Sequence, residues 1–216
     1  MVQVTPNALA DLIVRLADNK YLLGRRFSEW TNRAPTLEAA VAAAAMTQDE
    51  LGHARSLYAA LQSLPDAPEA YLREERRDHR LGLPLLEQPF EHWTAFVAAS
   101  ALFDRALSMM FETARESRHE PLRQRAVKIL QEERFHRLYG EGWLKRMATT
   151  NAQTRGAMQA DVDWLWSPTA DWIGSGYNGA MVAEGVLAES AGALRARWAA
   201  EVKSLLADCG LAVPND

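Results

Sequence analysis

The sequence predicts an all-α fold, a bundle of four long helices with shorter helices packed on one side. Three observations point there. Alanine fills about one position in six, against only 12 Gly and 9 Pro in 216 residues, a balance that favours helix over sandwich or barrel. Apolar residues recur at three- and four-residue steps over stretches of about 25 residues. Proline and glycine fall between those stretches.

The first helix is expected from about Pro6 to Asn32, with Asn7 as cap, because Ile13, Leu16, Leu23 and Phe27 share one stripe and Pro35 forbids continuation. Thr36 caps the second, whose stripe runs through Ala42, Met46, Leu57 and Leu61 to the break at Pro65. A short helix near Ala67 to His79 leads into Gly82, Pro84 and Pro89, which read as a link. The third long helix spans about Glu91 to Ser117 and the fourth about Pro121 to Ala148, with Pro121 in its first turn. A helical piece ending near Trp166, a Gly- and Pro-containing loop over Ser167 to Gly179 and a last helix to about Asp208 complete the chain. Four rods of roughly 35 to 40 Å suit an antiparallel bundle whose longer connection joins its second and third members. No composition shift divides it, so residues 1–216 form one domain.

Composition also excludes function classes. At 48% hydrophobic and 24% charged the chain is neither disordered nor fibrous. Its net charge of -4, with the signs interleaved, gives no footprint for nucleic acid or an anionic membrane. The longest uninterrupted apolar run, Ala39 to Met46, is far shorter than a bilayer span. The lone Cys209 permits no intrachain disulfide, and a cytoplasmic location is expected.

Three histidines follow a glutamate by three residues: Glu50 with His53, Glu116 with His119, Glu133 with His136. Five histidines among 17 glutamates in 216 residues would give about 0.4 such pairs by chance. Residues i and i+3 share a helix face, so each pair delivers a carboxylate and an imidazole to one point, as in di-iron carboxylate bundles. Glu116 and His119 sit at a helix end among Arg115, Arg118 and Pro121 and read as a solvated pair. The other two pairs lie mid-helix on apolar stripes. Asp104 interrupts a third stripe, Val97, Ala101, Leu107 and Phe111, at the depth of a bundle-core metal; the plainer reading is a salt bridge to Arg105 or another cation. Trp143, Trp164, Trp166, Trp172 and Trp198 read as seam filling, and Arg25, Arg26 and Arg33 as solvated cations before phosphate ligands.

Trp30 with Arg33-Ala34-Pro35, the run Gln48-Asp49-Glu50-Leu51-Gly52-His53, Trp93 to Asp104, and Glu132-Glu133-Arg134-Phe135-His136 together resemble the phenylacetic acid catabolic proteins. These are the ferritin-like A and C subunits of the phenylacetyl-CoA ring-epoxidising monooxygenase. The resemblance implies a ferritin-like four-helix bundle with additional helices. In the catalytic A subunits such pairs and the third-helix aspartate hold two irons, which carries over here to Glu50, His53, Asp104, Glu133 and His136 as metal ligands. The C subunits are structural partners. Asp18-Asn19, Arg26 to Trp30 and Arg197-Trp198 to Pro214 are similar to the C type, whereas the two pairs are similar to the A type.

The family pattern has a carboxylate on the first helix where alignment through Trp30 puts Lys20. Its stripe position aims it either inward at the acids or, by snorkelling, at the bundle's edge. Glu29, nine residues away or roughly 13 Å along the axis, cannot stand in, and Asp18 faces elsewhere. An inward Lys20 with three carboxylates and two divalent irons would sum to +2, whereas one divalent ion gives zero. The expected cofactor is therefore zero or one iron. The resulting reading is an epoxidase-type subunit with a degenerate site, acting beside a homologous oxygenase subunit or as a homodimer. A catalytically active di-iron monooxygenase taking an acyl-CoA substrate and a ferritin-like metal store or sensor are the alternatives.

Overall fold

The computed structural model describes residues 6–64, 67–72, 80–175 and 179–214. The described chain is helical without strands: α1 (Pro6–Ser28), α2 (Leu37–Leu61), α3 (Glu69–Leu72), a 3₁₀ turn (Pro84–Glu87), α4 (Trp93–Ala98), a π segment (Ala99–Asp104), α5 (Arg105–Thr113), α6 (Glu120–Thr150), α7 (Ala152–Gly174), α8 (Gly179–Ala183) and α9 (Ala191–Asp208). Thr36 caps α2, its side chain accepting from the Ala39 N–H. His119, the helix-end histidine read as solvated, caps α6 by accepting from the Leu122 N–H. The α1 stripe ends at Ser28, and the expected continuation to Asn32 is made of tight turns on Phe27 and Ser28 carbonyls. The cap at Asn7, the break at Pro65 and the second half of the short helix lie outside the described side chains or residues.

α1, α2, the rod Trp93–Thr113 and α6 form the bundle. α1 and α2 run antiparallel, since Asp18 meets Tyr58 and Gly24 meets Leu51; α2 and α6 do likewise, since Ala39 meets Tyr139 and His53 meets Glu132. Ile13, Leu23, Phe27, Leu57, Phe96, Leu107 and Ile129 fill the space between. The link from the first pair of helices to the second is pinned to α1. The buried Asp18 carboxylate accepts from Tyr58 Oη at 2.5 Å and the Leu81 N–H at 2.7 Å, and Asn19 Oδ1 accepts from the Leu83 N–H at 2.7 Å. Trp93–Thr113 is the one described helix long and apolar enough to cross a bilayer, and 94% of its most apolar window is buried inside the protein, the condition of a bundle's core rod.

One expectation fails. α7 passes through Pro168 and ends at Gly174, so the loop expected from Ser167 begins eight residues later, at Ser175. Proline inside a helix costs about 3 kcal/mol, but this stretch carries Leu165, Trp166, Thr169, Trp172 and Ile173 into the core. Trp166 packs on Trp198 with ring centroids 4.8 Å apart and Trp172 on Phe103 at 5.1 Å. Burying side chains of this size returns several kcal/mol. Trp166, Trp172 and Trp198 fill the seam between α7, α9 and the bundle, as expected, whereas Trp164 is 39% exposed.

The π segment widens the third rod over the turn that ends at Asp104, and Gly140 on α6 sits against it. A Cβ at Gly140 would lie 2.8 Å from Ser100 Oγ and 3.2 Å from the Ala101 nitrogen. Gly140→Ala should therefore destabilise the protein by about 1–3 kcal/mol from overpacking, despite alanine's better helix propensity. Thermal unfolding checks this; a rise in Tm would mean that the rods part without cost.

Candidate functional site

Lys20, Glu50, Asp104 and Glu133 come from four different rods and meet in the middle of the bundle. Lys20 is fully buried, so the ammonium faces inward and the snorkelling alternative is excluded. Its Nζ donates to Asp104 Oδ1 at 2.6 Å, Glu133 Oε1 at 2.6 Å and Glu50 Oε1 at 3.0 Å. Three N–H bonds thus meet three carboxylates, the full donor capacity of an ammonium. The Phe111 ring closes the far side, its centroid 6.0 Å from Nζ. Arg105 does not pair with Asp104; it bridges Glu141 and Glu201 on the outer side of the rod.

The histidines stand between this centre and the surface. His136 Nδ1 lies 3.2 Å from both Asp104 Oδ2 and Glu50 Oε1, while its Nε2 faces Asp49 Oδ2 at 3.2 Å. His53 Nδ1 is 3.3 Å from Glu133 Oε1, and its Nε2 faces Glu132 Oε2 at 2.7 Å. Each imidazole therefore spans an inner acid and an outer one, and the outer acid comes from the opposite helix. Ser108 Oγ donates to Glu133 Oε2 at 2.6 Å. Beyond His53 a groove of about 440 Å³ opens between α2 and α6.

Electrostatics follow from this geometry. Burial opposes the charge on Lys20, but Asp104, Glu133 and Glu50 outweigh it and hold the ammonium well above its ordinary range. Burial likewise resists ionisation of Glu133, yet Lys20 and then the two histidines hold its carboxyl well below the usual range. Burial and the neighbouring Asp104 push Glu50 up to about 7. Both histidines are buried, which disfavours the imidazolium, and both are nonetheless raised, His53 chiefly by Glu133 and His136 by Asp104, Asp49 and Glu50. Formally, three inner carboxylates against Lys20 and the His136 imidazolium leave -1, which one proton on Glu50 removes.

All five residues expected as metal ligands are brought together. Ligand atoms of Glu50, Asp104, Glu133 and His136 lie within 4.8 Å of one another, a carboxylate and imidazole set of the type that holds a divalent metal. The ammonium, however, sits among the same oxygens. Glu50 Oε2 alone among the inner carboxylate oxygens has no hydrogen-bond partner, which leaves acceptor capacity for one more proton or cation. The set can hold a cation, and the chain itself places the Lys20 ammonium there. Asp49, Glu132 and Ser108 are the functional neighbours that spacing alone did not single out. A signal existed for two of them: Gln48-Asp49-Glu50 with His53 and Gln131-Glu132-Glu133 with His136 repeat one pattern, and the first acid of each repeat clamps the other's histidine.

Comparison with known proteins agrees with the motifs. A family profile described as phenylacetic acid catabolic protein matches residues 1–216. The chain is 30% identical to the C subunit of 1,2-phenylacetyl-CoA epoxidase from Escherichia coli (strain K12) over 214 residues, 97% of this chain and 86% of that one. It is 26% identical to the A subunit of the same epoxidase from that organism over 145 residues, 67% of this chain and 47% of the relative.

Proposed function

The chain belongs to the phenylacetic acid catabolic protein family along its whole length, and from that premise we propose that it is a subunit of a phenylacetyl-CoA epoxidase-type monooxygenase that stabilises or positions a catalytic homologue. The observation that carries this reading is the Lys20 ammonium bonded to Glu50, Asp104 and Glu133 in the bundle's dry centre. An ammonium there supplies the positive charge that three buried acids require, so the rods stay together without metal. Two divalent ions added to that set would sum to +2 in a low-dielectric interior, a strongly opposed state. Iron content is accordingly zero or one ion per chain. Phenylacetyl-CoA as the substrate of the assembly follows from the relatives' names; the partner is a homologous oxygenase subunit bearing a carboxylate where this chain has Lys20.

Elemental analysis of protein produced in iron-replete medium tests this. Wild type should hold at most one iron per chain, and Lys20→Glu, which restores the first-helix acid, should raise the content toward two. Two irons per wild-type chain, with oxygen consumed in single turnover, would overturn the reading. Co-expression with the catalytic homologue from the same source should yield a complex that purifies intact.

A further inference from the structure

The third rod owes the aim of Asp104 to its π segment. A π turn holds one residue more than the α turn it replaces, so Asp104 points about 100° away from where an uninterrupted helix anchored at Trp93 and Phe96 would send it. That anchor is firm: Trp93 and Phe96 stack with ring centroids 4.4 Å apart and pack against Trp30, Trp143 and Phe27. The register of Ala99–Asp104 therefore decides whether a carboxylate of this rod reaches Lys20 Nζ.

The register is held from α9, which lies outside the four rods. At the end of the π segment the Arg105 N–H reaches back only three residues, to the Leu102 carbonyl. That carbonyl accepts a second bond, at 3.0 Å, from the indole N–H of the fully buried Trp198. One turn further along α9, Glu201 accepts from Arg105 Nη2 at 2.7 Å. α6 completes the grip, since Glu141 accepts from Arg105 Nη1 at 2.6 Å and its neighbour Gly140 admits Ser100 and Ala101 close against the helix. Asp104 thus stands between two residues, Leu102 and Arg105, that α9 holds by directional bonds. Trp172 makes a contrast. It packs on Phe103, immediately before Asp104, but its indole N–H has no hydrogen-bond partner among the described residues. Apolar contact fills space without direction, whereas a hydrogen bond fixes the atoms that make it.

We infer that Trp198 and Glu201 are positioning residues of the buried network: acting through Leu102 and Arg105, they lock the π register of the third rod and so aim Asp104 at Lys20. The lock is a property of the chain by itself and goes beyond the proposed function.

The test is the ammonium resonance of Lys20 in the full-length protein, assigned through its side-chain carbons and recorded for wild type, Trp198→Phe, Glu201→Ala and Trp172→Phe. Trp198→Phe keeps an aromatic ring and removes the N–H. The Glu201 side chain is 37% exposed, so Glu201→Ala breaks the second bond with little loss of packing. The resonance should shift in both and stay in place in Trp172→Phe. Stability gives a second reading. Asp104→Asn weakens the bond to Lys20, and its effect on the unfolding constant should be about tenfold smaller in the Trp198→Phe background than in wild type. Paired with Trp172→Phe, the two effects should multiply to within about twofold. An unmoved resonance in folded Trp198→Phe or in Glu201→Ala would overturn the lock. An equal shift in Trp172→Phe would overturn it as well, because any loosening of the seam would then disturb the centre. If Trp198→Phe does not fold, the Glu201→Ala spectrum decides alone.

Discussion

Lys20→Met is expected to lower stability by about 3–5 kcal/mol at neutral pH, the cost of leaving buried charges without their partner. For a chain of 216 residues this is a Tm lower by roughly 6–20 °C. Methionine matches the lysine stem in length and apolar volume, so packing is nearly conserved and the loss isolates the charge. The structure specifies where the penalty falls: Glu133 and Asp104 each lose a 2.6 Å bond and Glu50 one of 3.0 Å. The penalty should shrink at pH 5, where acids without a counterion take up protons in place of the ammonium. Denaturant unfolding of the two proteins at pH 5 and pH 7 measures it. An equal loss at both pH values would show that the missing charge is not its cause.

The second large effect is a fall in stability as pH rises from about 4.5 to about 7, assigned to Glu50. Burial and then Asp104 raise its carboxyl to about 7, so over this window the unfolded chain releases the proton and the folded chain keeps it. The folded state then binds more protons, and the stability slope with pH is negative. A shift of this size corresponds to about 3 kcal/mol. Above 6.5 the raised histidines act in the same direction: their contribution is fully present below 6.5 and is lost progressively as pH rises toward their folded values. Glu133, held low by Lys20 against its burial, contributes with the opposite sign, but only below about 4.5. Stability should therefore peak near pH 4.5 and fall on either side. Glu50→Gln keeps an acceptor for the ammonium and removes the titration, so it should flatten the 4.5 to 7 limb and exceed wild type at pH 7. An unchanged slope would place the responsible proton elsewhere.

Much of the centre was legible before any folding was considered. Apolar stripes at helical spacing gave the four rods, and the acids and lysine interrupting those stripes, Lys20, Glu50, Asp104 and Glu133, gave the residues that meet. The i, i+3 pairing identified His53 and His136 and, from its helix-end setting, set His119 apart, which caps α6 through Leu122. Periodicity is a local property, and it assigns each side chain to a face.

What opposes that face is a matter of contacts between residues 30 to 113 positions apart, and only packing decides it. Lys20 on its stripe was compatible with an ammonium at the bundle's edge; three carboxylates from three other rods are what hold it inside. The crossed clamps of Asp49 on His136 and Glu132 on His53 depend on the antiparallel register of α2 and α6, which no single helix encodes. α7 continues through Pro168 because tryptophans on that turn find Trp198 and Phe103 to pack against, and a local rule worth about 3 kcal/mol loses to that burial. The sequence by itself determined which residues are buried together in kind: acids, imidazoles and one amine on apolar rods. The tertiary structure decided their pairing and left Leu37, Val41, Phe135 and Leu138 uncovered, because direction and distance between helices are set by how whole surfaces fit, not by the order of residues along any one of them.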